Sequence, residues 1–185
     1  MPFIDPEVER PAREMLGYAI SGELDELDIL IQSIGGDQHG RVLGMCLAAA
    51  AYVAVDVSER WPTDADLREI ARLVEEHDVE LLVDRVDVYH YLVDAALGFR
   101  RLSEALDGGT GNAAMPVLIT ASMLFTFCPN DLEWRTYLDQ IWSAYDTAQN
   151  VELSVLPALQ VRTQMHKALS GRGTAGRLPT SWFSG

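Results

Sequence analysis

Within the stretch VDRVDVYHYLVD, residues 83–94, a few side chains have the types and spacing of acid–base or metal chemistry. Asp87 and His90 stand three positions apart, which on a helix sets a carboxylate and an imidazole within reach of one ion. His90 and Asp94 stand four apart, the spacing of an oriented acid–base pair. On a helical wheel of about 100° per residue, Glu80, Asp84, Asp87, Tyr91 and Asp94 share an arc of about 80°. His90 lies about 40° beyond its edge on that wheel. A ligand pocket built on this helix would be lined by Asp84, Asp87, His90, Tyr91 and Asp94.

The rest of that wheel is apolar, with Leu81, Leu82, Val86, Val88, Leu92 and Val93. The simpler expectation is a helix buried on most sides, whose wet stripe is acidic and whose histidine sits at the rim. Arg85 falls on the apolar side, where it would reach past the core edge or pair with a carboxylate of another helix. A di-iron carboxylate bundle needs two Glu-x-x-His pairs and two further glutamates. The other histidines, His39, His77 and His166, follow Gly36, Val74 and Thr163 by three, so none repeats the pattern. There is no His-Glu-x-x-His and no Cys-x-x-Cys. We expect no metal and no cofactor.

His77-Asp78, with His39 upstream, resembles the metal-binding His and His-Asp pair of the all-helical HD-type phosphohydrolases. The likeness covers three residues, and the dipeptide falls at an expected helix break, where those ligands would lack their setting. Asp107-Gly-Gly-Thr-Gly-Asn lacks the strand and the lysine of a phosphate loop. Cys46 sits in an apolar run, which raises a thiol's pKa and makes it inert, and no Gly-x-Ser-x-Gly elbow exists. No catalytic set can be nominated from the sequence. Asp56 ends the most apolar run; if buried it needs a partner, and Arg85 is the candidate.

The elements that would position these groups are all helical. Asp5-Pro6 is an N-cap with a first-turn proline, Met15, Leu16, Ala19 and Ile20 form a stripe, and Gly22 ends it. Leu24, Leu27, Ile31 and Ile34 keep one face of the next helix until Gly35-Gly36. Asp37 would cap a third helix to about Arg60, apolar nearly all round and therefore central. After Trp61-Pro62, Thr63 and Asp66 form a capping-box pair ahead of Leu67, Ile70, Ala71 and Val74. Asp78 would cap the helix that carries residues 83–94 and extends toward Leu106. Asn112 would cap a helix around Val117–Phe127, ended by Cys128-Pro129. Asn130 and Glu133 would open another, striped by Trp134, Leu138, Ile141, Trp142, Tyr145 and Ala148. A last helix is expected at about Val155–Leu169.

No segment alternates as a strand does. The expected fold is all-α: a single-domain irregular bundle of seven or eight mostly antiparallel helices over residues 1–170. Residues 171–185, GRGTAGRLPTSWFSG, have the composition of an arm, with Trp182 and Phe183 as an anchor that would dock it onto its own molecule, a partner or a second copy of the chain.

The formal net charge is −14 over 185 residues, and it is uneven. Residues 1–100 carry 8 arginines against 21 acids, a net of −13, and residues 101–185 carry the remaining −1. Such a chain repels phosphate backbones, so nucleic acid is not an expected partner. The uncharged runs Val42–Val55 and Ala113–Cys128 are shorter than a membrane span needs, and the acidic N-terminus does not read as a signal peptide. Two isolated cysteines suit a reducing, cytoplasmic setting. The leading expectation is a non-enzymatic acidic protein that binds a protein partner, as a regulator or as a neutraliser of a basic protein, with homodimerisation through the arm as a further candidate role. The alternative is a helical-bundle enzyme or small-ligand binder, metal-dependent in one form, with its pocket around Asp87, His90 and Asp94.

Overall fold

The computed structural model describes residues 5–77, 83–93 and 114–147, and within them the chain is all-α. Among the described residues seven helices follow in order: α1 Pro6–Ser21, α2 Leu24–Ser33, α3 Gly36–Ser58, α4 Asp64–His77, α5 Arg85–Tyr91, α6 Ala114–Phe127 and α7 Trp134–Thr147. No strand occurs among the described residues.

Local chemistry explains most of the boundaries. Asp5 caps α1, its Oδ1 accepting from the Glu7 N–H at 3.0 Å, and Pro6 fills the first turn, where no N–H is needed. Gly22 ends α1 with φ 73°, the left-handed conformation that glycine adopts without strain, and the Gly22 and Glu23 N–H groups close on Ala19 and Tyr18 carbonyls. Before α4, Thr63 and Asp66 bond reciprocally: Thr63 N donates to Asp66 Oδ2 at 2.7 Å, and Asp66 N donates to Thr63 Oγ1 at 3.3 Å. Pro116 stands in the first turn of α6, where its missing N–H costs nothing.

Two helices make the core. In α3 every residue from Val42 to Val55 is buried, and Ala48–Ala51 let neighbours approach closely. α3 packs against α1, α4, α6 and α7. It is long and apolar enough to cross a membrane by composition alone, but 78% of its apolar window is covered by the rest of the molecule. α6 is apolar on all sides, and it touches each of the other six helices. A helix apolar all round is stable in this fold because its neighbours cover most of it, Phe125 being the large side chain left exposed at 62%. α4 is the opposite case: Leu67, Ile70, Ala71 and Val74 are its buried face, and its other side is charged.

Several expectations about boundaries are corrected. The helix carrying Asp87 starts at Arg85, with Asp84 as its N-cap, so Asp84 does not lie on its outer face. Gly35 caps α3, and Gly36 opens that helix rather than closing the preceding one. Asn130 lies in a turn closed by Leu132 N donating to Pro129 O at 2.9 Å, and α7 begins after Glu133. Arg85 does pair with a carboxylate of another helix, but that partner is Glu75 of α4 at 3.8 Å and not Asp56, which accepts from Tyr137 at 3.0 Å. Asp78, Asp94, Asn112, the 107–112 loop, the expected helix at 155–169 and the arm with Trp182 and Phe183 lie outside the described residues.

Candidate functional site

The side chains singled out around residue 90 separate into two environments. Asp84, Asp87 and His90 are exposed, and Asp84 Oδ1 is engaged by the Val86 N–H at 2.6 Å as the cap of α5. The ring of His90 rests edge-on against Tyr89, with centroids 5.5 Å apart. Tyr89 in turn donates its hydroxyl to Asp64 of α4, and the Arg68 guanidinium lies 4.7 Å above its ring. The Tyr89 hydroxyl and Arg68 together hold the Asp64 carboxyl below its ordinary range. This corner ties α5 to α4. Among the described residues, no group of three or more His, Cys, Asp or Glu side chains is placed to hold a metal.

Tyr91 faces the other way. Its hydroxyl lies 3.2 Å from Thr120 Oγ1 of α6, and Thr120 donates its own proton to the Cys46 carbonyl of α3 at 3.1 Å. Since Thr120 has one proton and it is committed, Tyr91 is the donor in the first bond. Burial pushes the Tyr91 phenol well up, with the neighbouring Cys46 adding to it and the Thr120 bond opposing. Burial also pushes the Cys46 thiol up to about 12. Tyr91 is therefore a core donor joining α5, α6 and α3, not part of one wet pocket with His90.

Two further tyrosines do the same work on α3. Tyr145 of α7 donates to the Ala48 carbonyl at 2.7 Å, and Tyr137 of α7 donates to Asp56 Oδ2 at 3.0 Å. Each satisfies a buried hydroxyl while fixing how α7 lies across α3. Tyr137 is raised well above the usual phenol range, first by burial and then by the Asp56 charge. Nearby, Arg13 bridges Glu9 and Asp139 and lies 5.0 Å over the Trp142 ring, joining α1 to α7. The Trp142 indole N–H is buried without a hydrogen-bond partner among the described residues.

A groove of about 520 Å³ runs beside α1, lined by Pro6, Glu7, Arg10, Pro11, Glu14 and Gln38. It presents no cysteine, histidine or hydroxyl nucleophile.

The surface charge is patterned by helix. In α4, all five acids have an arginine within 4.0 Å: Asp64 with Arg68, Asp66 with Arg60, Glu69 and Glu76 with Arg72, and Glu75 with Arg85. In α1, Glu9 pairs with Arg13 and Glu14 with Arg10. α2 is different. No Lys, Arg or His occurs from residue 14 to residue 38, and Glu23, Asp25 and Glu26 are exposed with no cationic partner among the described residues. The expectation from sequence placed the acidic surface broadly over residues 1–100 and missed this concentration. The signal was present in the missing arginines at the positions three and four away on α2.

No protein-family model, no curated protein and no solved structure matches this chain.

Proposed function

We propose that this chain is an acidic helical binding protein whose partner is a basic protein. The supporting observation is the distribution of charge over a fold whose interior polar groups serve packing. Residues 1–100 carry 21 acids against 8 arginines. On α4 those charges are internally compensated, and on α2 they face solvent uncompensated. A surface of that kind raises the encounter rate with cations and rejects phosphate-bearing partners. The Thr120, Tyr137 and Tyr145 hydroxyls are each bonded to α3. Both cysteines are free thiols, which suits a protein acting in a reducing compartment.

Calorimetric titration of the full chain with matched basic, neutral and acidic helical peptides at low salt tests this reading. The basic peptide is expected to bind at least about tenfold more tightly than the neutral one, a difference of about 1.4 kcal/mol, and the acidic one not at all. Equal affinity for all three would overturn it.

A further inference from the structure

The docking face of the proposed binding protein can be located, an inference that rests on the reading above. α2 is rooted by few side chains: of its ten residues, Leu27 and Ile31 are buried. Ile29 is 67% exposed and stands on the opposite side of the helix from those two. An isoleucine gains nothing by that position in the isolated chain. Its neighbours three and four positions away are Asp25, Glu26, Gln32 and Ser33, all exposed, so one aliphatic side chain is ringed by acids and neutral polar groups. Asp28 is exposed on the same helix and is held by the Gln32 amide at 2.7 Å.

An exposed apolar contact inside a charged rim is the arrangement found at the centre of protein–protein contacts. What distinguishes α2 from α4 is that its rim has no internal arginines to neutralise it. We propose that the outer face of α2 is the docking face for a cationic amphipathic segment of the partner. Ile29 meets that segment's apolar side, and Asp25, Glu26 and Asp28 meet its lysines or arginines. An anionic membrane or a second copy of this acidic chain would bring like charge to the same face, which disfavours both.

The test uses the full chain and a lysine–leucine amphipathic helical peptide, with binding read by fluorescence anisotropy. Neutralising α2 with Asp25→Asn, Glu26→Gln and Asp28→Asn should weaken binding at least about tenfold. The same charge change on α4, Glu69→Gln, Glu75→Gln and Glu76→Gln, should weaken it by less than about threefold. Ile29→Ser alone should weaken it about fivefold without altering its salt dependence. Circular dichroism of each variant should match the parent, since all these side chains lie at the surface. Equal weakening by the two triple substitutions, or an unchanged affinity for Ile29→Ser, overturns the assignment to α2 while leaving the basic-partner reading standing. Failure of the parent chain to bind the peptide at low salt overturns both.

Discussion

Gln38 Nε2 donates to the Glu7 carbonyl at 2.8 Å. That carbonyl is the one Pro11, four residues on and inside α1, cannot serve, because proline has no N–H. A side chain from the start of α3 thus supplies the bond that the helix lacks, and α1 continues for another ten residues beyond Pro11.

Replacing Gln38 with Ala should cost about 1 kcal/mol of stability, the usual net worth of a hydrogen bond to an otherwise unserved acceptor. In a Pro11→Ala background the new N–H can serve Glu7, so the same Gln38→Ala change should cost less than half as much. Urea unfolding of the four proteins measures this coupling; additive costs would show that the bond does not answer the proline.

Asp66 should make stability depend on pH at the acid end. Its carboxyl is held at about 2, against an ordinary 3.8, first by the Arg60 hydrogen bond and then by the Thr63 hydroxyl and N–H. A depressed pKa means that the folded state favours the ionised form. The stabilisation is complete above about 4 and is lost as pH falls through about 2. Asp66→Asn should flatten the stability–pH curve in that window, as read by thermal unfolding at stepped pH. An unchanged slope would remove Asp66 from the account.

The two thiols should differ sharply in reactivity. Cys46 is fully buried with its pKa pushed up to about 12, while Cys128 is half-buried and raised by burial and by Asp131. A thiol reagent at mildly alkaline pH should modify Cys128 alone in the native protein, and both residues once urea is added. Mass spectrometry of the labelled peptides reports the order, and native labelling of Cys46 would mean that α3 is not enclosed.

Tyr137→Phe should destabilise by about 1–3 kcal/mol, because it takes a donor from the partly buried Asp56 carboxylate. Tyr145→Phe should cost less, since the Ala48 carbonyl lies mid-helix and retains its backbone donor. Paired denaturation curves compare them, and the reverse order would contradict the role given to Asp56.

Much of the fold was legible because its signals are local. Asp5 with Pro6, Gly22, and Thr63 with Asp66 each set a helix end through chemistry contained in a few residues. The buried face of α4 follows its period without exception. The start of α5 is not legible locally because Asp78 and Asp84 are both competent caps, and nothing in the local pattern ranks them. The wheel groups Tyr91 with His90 because it gives direction around one helix and not what packs there. Thr120, 29 positions on, decides its role. Gln38 and Glu7 are 31 residues apart, so the proline announces an orphan carbonyl but not its donor. Charge compensation was legible in principle: on α4 arginines stand three or four positions from the acids, and on α2 none do.

Salt dependence of binding tests the central claim most directly. The full chain, titrated with a basic amphipathic peptide at about 50 mM and about 300 mM salt, should lose at least about tenfold in affinity across that range, because exposed carboxylates are screened within a Debye length. An affinity that does not change with salt, or no binding at the lower concentration, would contradict the claim that this protein recognises its partner through an uncompensated acidic surface.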